Sequence, residues 1–534
     1  MGLEDSKLLQ KYINFGEKKA GSTWMGIFVG LFAAFGGILF GYDTGTIGGI
    51  LAMPYVLKTF TDKDQDPDNR HFTSAQRSLI VSILSVGTFF GALLAPIFSD
   101  RIGRRLTLII STLFIFNLGV ILQTVATDIP MLVGGRCIAG LGVGFISAVI
   151  PLYQAETTPK WIRGAVVSCY QFAITIGLLL AACVNQGTHN RDDTGSYRIP
   201  IAIQFLWSLI LGIGMILLPE TPRFWVSRSN EQKAKESLRT LRKLPIDHPD
   251  LIEEYEDIQA NHLYELQFGK ASWFDVFSTK NKQLKRVFMG TTIQALQQLT
   301  GVNFIFYYGP TFFKQSGIKN EFLIGLATNI VNVGTTVPGI ILVDIIGRRK
   351  LLLSGSVVMT VSQLLVAIVG VAKPDSPSAN KVLIAFVCTF IAGFAATWGP
   401  LCWAVVAETY PLKVRQKSIA LCTASNWLWN WGIGYATPYM VDEGPGNANL
   451  GSKVFFIWGG FNLIGFIFVY LFVYESKGLT LEQVDEMYEK IDHAWKSPGF
   501  VPTEHLYTED MSRKNSMVDN QKETVVYDES VQDS

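Results

Sequence analysis

The sequence predicts an all-α membrane protein. Twelve transmembrane helices are expected as two pseudo-symmetric six-helix bundles, with a small cytoplasmic helical domain between them. Three observations carry this reading. Only 17% of the 534 residues are charged, against about 25% in soluble domains, and the mean hydropathy is +0.28. Uncharged or nearly uncharged runs, each about 20 residues or more and so long enough to cross a bilayer, recur six times, pause, and recur six times more. Short motifs also repeat in the same order in the two halves, as a duplicated unit would produce.

The runs fall near 24–50, 79–98, 106–127, 131–153, 164–187 and 199–218, then near 287–313, 322–343, 351–371, 382–407, 418–440 and 454–474. A polar tail, 1–23, precedes them and shows no cleavable signal pattern. The first six runs make an N-terminal bundle over 24–218 and the last six a C-terminal bundle over 287–474. The stretch 219–286 is charged and helix-prone (EQKAKESLRTLRKL) and is expected as an amphipathic linker domain. The tail 475–534 holds one helical patch, LEQVDEMYEKI, and is expected to be disordered from about Ser512.

Orientation follows from the short loops. Arg101, Arg104 and Arg105 follow the second run, and Arg348, Arg349 and Lys350 follow the eighth. The positive-inside rule puts these loops, the linker domain and both termini in the cytoplasm. Asp62, Asp64, Asp66 and Asp68 after the first run suit an outside loop. The net charge of +1 gives no pointer to nucleic acid. All six cysteines lie in apolar runs without metal-ligand spacing, so they are expected to pack. With no nucleophile–base set, metal cluster or phosphate loop, neither an enzyme nor a cofactor is expected.

The most informative stretch is Gln294 to Gly309, QALQQLTGVNFIFYYG. On one helix, Gln294, Gln297, Gln298 and Gly301 share a face at the i, i+3, i+4, i+7 spacing, and Asn303 and Tyr307 are again four apart. An amide left unpaired in hydrocarbon costs several kcal/mol, so this face must look into the protein. One such residue reads equally well as glue between helices. Five polar side chains on one run point to a cavity that recognises a polar, uncharged solute. A second mixed stripe, Asn426, Trp427, Asn430 and Trp431, offers amides beside indoles.

Two charges sit inside the runs, Asp43 and Arg136. Each costs a few kcal/mol or more at mid-bilayer and needs a partner or water. At 1.5 Å per residue they lie roughly 10 and 8 Å from the outer ends of their runs, and so can pair. A structural ion pair and a proton site both fit. Beside Arg136 the carboxylate stays ionised; separated from it, burial favours the protonated form.

The repeated motifs are Ser99-Asp100-Arg101-Ile102-Gly103-Arg104-Arg105 against Val343-Asp344-Ile345-Ile346-Gly347-Arg348-Arg349, Glu156 with Arg163 against Glu408 with Arg415, and Glu220-Thr221-Pro222-Arg223 against Glu475-Ser476-Lys477-Gly478. On these motifs the chain resembles the sugar porters of the major facilitator superfamily, and yeast hexose and xylose carriers in particular, over residues 24–490. The resemblance implies a neutral monosaccharide, glucose or xylose, reached alternately from either side of the plasma membrane by a monomer. It implies sugar contacts from Gln171, Gln297, Gln298, Asn303, Tyr307, Asn332, Gly399, Trp403, Asn426 and Trp427, with Phe40 closing the pocket. In proton-driven members the acid of the GYDTG segment, here Asp43, carries the proton, although some facilitators keep it too. Asp100, Arg101, Arg104, Glu156, Arg163, Asp344, Arg348, Glu408 and Arg415 would latch the inner face. Uniport and a glucose sensor stay open as alternatives; sensors of the family carry long tails, and about 60 residues follow Glu475 here.

Overall fold

Lipid offers no hydrogen-bond partners, so a chain of this composition satisfies its backbone within helices. The computed structural model describes residues 24–61, 70–159, 163–267, 272–315, 321–372, 377–411, 414–479 and 481–501, and among them there is no strand. The expectations for the two tails, the acidic loop 62–69 and the side chains of Arg163 and Asp344 lie outside the described residues.

The first half contains α1 (Trp24–Ile50), the short α2 (Pro54–Phe60), α3 (Ser74–Ile102), α4 (Arg104–Val125, with a π-helical turn at Ser111–Phe116), α5 (Ile129–Thr157), α6 (Arg163–Thr188) and α7 (Gly195–Leu217). A capping box between Thr73 and Gln76 starts α3, and Asp128 caps α5 through the Met131 N–H. Next come α8 (Pro222–Ser227), α9 (Glu231–Arg242) and α10 (Pro249–Gln267), which pack on one another through Val226, Leu238, Leu251 and Tyr255. The four-residue α11 (Trp273–Val276) leads into the second half.

The second half contains α12 (Gln283–Leu299), α13 (Val302–Gln315), α14 (Glu321–Ile346), α15 (Arg348–Ala372), α16 (Pro377–Ala396), α17 (Trp398–Thr409), α18 (Arg415–Val441) and α19 (Val454–Phe472). After it, α20 (Leu481–Lys490) folds back so that Asp485 pairs with the fully buried Arg286 at the start of α12. The result is a helical membrane protein of two six-helix bundles.

Ten of the crossings are long and apolar enough to span a bilayer by length and composition. The two that are not explain themselves. The run 287–313, expected as one helix, breaks at Thr300–Gly301 into α12 and α13, because Gly301 adopts φ +81°. The α18 crossing is diluted by Asn426, Asn430 and the charged residues of its first turn. The run 382–407 is likewise interrupted, at Thr397 between α16 and α17.

Close packing in the first half depends on small residues. A Cβ on Gly41 would lie 2.0 Å from the Ile174 carbonyl oxygen, and one on Gly177 would lie 2.3 Å from that of Ile38. Helices α1 and α6 therefore touch backbone to backbone. Gly177→Val should cost about 1–3 kcal/mol by overpacking this crossing and lower the melting temperature in detergent. An unchanged melting temperature would contradict the crossing as described.

A carboxamide cluster between the two halves

The break in α12/α13 places carboxamides on both of its sides against α17 and α18. Gln297 Nε2 donates to the carbonyls of Trp398 (3.0 Å) and Gly399 (2.9 Å), at the start of α17. Asn426 Nδ2 donates to Gln297 Oε1 (2.7 Å) and Gln294 Oε1 (2.8 Å), while its oxygen accepts from Gln298 Nε2 (3.0 Å). From beyond the break, Asn303 Nδ2 donates to Gln298 Oε1. Tyr307 donates its hydroxyl to Asn430 Oδ1 at 3.0 Å.

The opposite bundle closes on this wall. The Phe40 ring of α1 meets the buried Trp427 ring of α18 edge-on, with centroids 5.2 Å apart. The Trp427 and Gln294 N–H groups and the Tyr170 hydroxyl are buried without a protein partner among the described residues. Buried donors of this kind seek a polar guest or water. A cluster rich in two-way amides, spare donors and aromatic rings can hold a ring of hydroxyls and its C–H faces.

Gln171, Asn332 and Trp403 are not joined to this cluster by the described contacts. Asn332 is buried on α14, and Gln171 and Trp403 are half-buried on α6 and α17. Trp429 and Trp431 are exposed on the outer surface of α18, where lipid would lie. Gln294 and Asn430 belong to the cluster as well, beyond the sugar contacts that the resemblance implies. Their signal was the shared face with Gln297 and with Asn426.

Asp43 and Arg136 lie at the same level, 0% and 2% exposed, with Arg136 Nη1 3.8 Å from Asp43 Oδ1. Gln204 Nε2 donates to the same oxygen at 3.2 Å, and Arg136 Nε donates to the Ile80 carbonyl at 2.8 Å. Asp43 Oδ2 and Arg136 Nη2 have no partner among the described residues. This ion pair is under-satisfied for so buried a place.

The duplicated motifs fold alike. Arg104 pairs with Glu156 (3.2 Å) and Asp100 (3.3 Å), and Arg348 pairs with Glu408 (3.1 Å). Glu220 accepts from the N–H groups of Arg104 and Arg105, as Glu475 does from those of Arg348 and Arg349. Burial pushes the Glu220 carboxyl up from the ordinary range, against the pull of the Thr221 and Arg105 N–H groups and of the Arg104 charge. Arg415 Nε donates to the Tyr410 carbonyl at 3.0 Å, and the Arg101 carbonyl accepts from Arg228. Each of these contacts lies within one half or joins it to the segment that directly follows it.

At the other face a contact crosses between the halves. Arg77 of α3 lies 2.9 Å from Asp442 at the end of α18, both side chains 10% exposed. Ser74 donates to Asp442 (3.0 Å) and Ser78 to the Tyr435 carbonyl (2.7 Å). A Cβ on Gly48 would lie 2.7 Å from the carbonyl oxygens of Phe306 and Tyr307, and His189 stacks on Phe322 at 4.5 Å. Arg77 and Asp442 escaped the sequence reading because they stand just beyond the ends drawn for runs 2 and 11.

Removing one partner of a buried ion pair costs about 3–5 kcal/mol. In a cysteine-depleted background, Asp442→Ala should raise labelling of Ser78→Cys by a hydrophilic thiol reagent at least about tenfold. The exchanged pair Arg77→Asp with Asp442→Arg should bring it back. Labelling at the parental rate in Asp442→Ala would contradict a closure held by this pair.

The model of the Sugar (and other) transporter family matches residues 29–488. The chain is 54% identical over 497 residues to the major facilitator-type transporter ecdD of Aspergillus rugulosus, covering 91% of each. It is 50% identical over 472 residues to the high glucose sensor RGT2 of Saccharomyces cerevisiae, a match that spans 88% of this chain and 61% of the sensor. Among solved structures, the proton:xylose symporter XylE, bound to 6-bromo-6-deoxy-D-glucose, superposes with a TM-score of 0.72 at 26% identity, covering 88% of this chain and all of XylE. The chain thus belongs to the sugar transporter family of the major facilitator superfamily, multi-pass membrane carriers rather than enzymes.

Proposed function

We propose that this protein carries a neutral monosaccharide, glucose or xylose, across the plasma membrane by alternating access, with a proton moving on Asp43. The observation that carries the reading is the carboxamide cluster of α12, α13, α17 and α18, closed from the other bundle by Phe40. Amide groups both donate and accept, so they match hydroxyls in any orientation, and the Trp427 indole suits the apolar face of a pyranose ring. Gln298, Asn303, Tyr307 and Asn426 are the contacts we assign to the sugar first. Gln171, Asn332 and Trp403 would join when the bundles close further around it.

In this reading the duplicated motifs, the helices α8 to α10 and both termini face the cytoplasm. Arg77 and Asp442 face outside, so the conformation described is shut to the outside. The pairs Arg104–Glu156 and Arg348–Glu408 brace the inner ends of each bundle, and rocking of the bundles exchanges the Arg77–Asp442 closure for one at the inner face. A complete cluster lies within one chain, so a monomer suffices.

Proton coupling rests on Asp43. Its Oδ1 meets one distant arginine and one amide while its Oδ2 has no partner among the described residues, so a proton can replace Arg136 as the partner of this carboxylate when the bundles move. The likeness to the symporter XylE supports this reading, and the likeness to a glucose sensor supports a second: recognition of sugar without net transport.

Uptake of labelled glucose and xylose in a carrier-deficient cell, with and without a protonophore, separates these readings. We expect accumulation above the outside concentration that collapses with the protonophore. Asp43→Asn should abolish that accumulation and spare exchange of sugar across the membrane; undiminished accumulation in this variant would remove Asp43 from the coupling. Uptake that only equilibrates and ignores the protonophore would mean a uniporter. No uptake of any sugar by protein at the cell surface would favour the sensor.

A further inference from the structure

The break between α12 and α13 frees backbone groups, and the way they are met assigns a role to two residues outside the cluster. In an unbroken helix the Thr300 carbonyl would accept from the Phe304 N–H. Here Phe304 N–H bonds to the Gly301 carbonyl instead, at 3.1 Å. The freed Thr300 oxygen accepts from Gln363 Nε2 of α15 at 2.8 Å, and from Asn462 Nδ2 of α19 at the longer distance of 3.5 Å. Asn462 Nδ2 also donates to Gln363 Oε1 at 2.7 Å and to the Trp458 carbonyl at 3.0 Å. Thr300, Gln363 and Asn462 are each 1% exposed.

The same corner fixes the backbone turn. Gly301 sits at φ +81°, and a Cβ there would lie 2.5 Å from the Trp458 ring. Trp458 thus leans on the bend from α19 while two carboxamides hold its carbonyl. Beyond the bend, Asn303 reaches back to Gln298, and Tyr307 reaches Asn430. The angle of α13 relative to α12 therefore decides whether Asn303 and Tyr307 meet the cluster. It also decides whether the Phe306–Tyr307 backbone meets Gly48 of the other bundle.

We infer that Gln363 and Asn462 are positioning residues. They clamp the Thr300 carbonyl from behind the sugar site, and so set the pose of α13 as both a wall of the site and a part of the closure against α1. Neither residue touches the site itself. The consequence for sugar binding rests on the proposed function; the consequence for the pose of α13 does not. A buried carbonyl can keep its bonds while the chain beyond it pivots at Gly301, so the clamp is a fixed point about which α13 can turn.

The test uses the full-length protein in cells and reads two quantities. The first is the half-saturation concentration for labelled hexose against the maximal rate. The second is thiol labelling of Phe306→Cys, in a cysteine-depleted background, from the side that Arg77 faces. Gln363→Leu removes the shorter bond at similar volume. We expect a half-saturation concentration at least about tenfold higher with a smaller change in maximal rate, and labelling at least about fivefold faster. Asn462→Ala, which leaves the 2.8 Å bond in place, should move both quantities the same way by less. Gln363→Asn shortens the reach of the amide and should resemble the leucine variant.

Parental labelling and parental half-saturation in Gln363→Leu, at parental surface levels, would overturn the inference. So would the loss of all three variants from the membrane, since the pair would then serve folding alone. If the parent takes up neither hexose nor xylose, the proposed function fails, and the labelling arm still decides the clamp.

Discussion

The structure turns on one constraint, that a bilayer offers nothing to a hydrogen-bond donor or acceptor. Every polar group carried into it must be met by protein, by water or by a solute. Helices α12 and α13 carry Gln294, Gln297, Gln298, Asn303 and Tyr307, and a break in the helix adds a free carbonyl. The rest of the second bundle is arranged to meet these groups. Carbonyls at the start of α17 take Gln297, Asn426 and Asn430 of α18 take the others, and Gln363 and Asn462 hold the bend. Where protein leaves donors over, as at Trp427 and Gln294, a guest has something to bind.

Among the described contacts, Arg77 and Asp442 cross the divide at one face, and at the other the pairs Arg104–Glu156 and Arg348–Glu408 each lie within one bundle. Buried ion pairs gain little net stability but lose much when one partner goes, which suits contacts that exist in one conformation and are exchanged in another. Asp43 and Arg136 belong to the same logic inside one bundle. Their 3.8 Å separation and leftover atoms make a pair that can be opened.

Much of this was legible in the sequence. The runs, their count and the duplicated motifs follow from composition and spacing. The level of Asp43 and Arg136 follows from the rise of a helix. The shared face of Gln294, Gln297 and Gln298 follows from its period. The break at Gly301 was not legible, because a lone glycine between Thr300 and Val302 is compatible with a continuous helix, and the residues that meet the bend, Trp458, Gln363 and Asn462, are distant in the chain. Arg77 and Asp442 were missed because hydropathy ends a run at the first charge, whereas the structure buries those charges against each other. Gln204 gave no signal at all, being one carboxamide in an apolar run.

The central claim is that the carboxamide wall binds a neutral sugar. Its most direct test is equilibrium binding of labelled glucose and xylose to the purified protein, comparing the parent with Asn426→Leu, and with melting temperature recorded for both. Asn426 joins Gln294, Gln297 and Gln298, so its loss should weaken binding at least about tenfold, beyond what any change in melting explains. Binding of both sugars at parental strength in Asn426→Leu would contradict the claim.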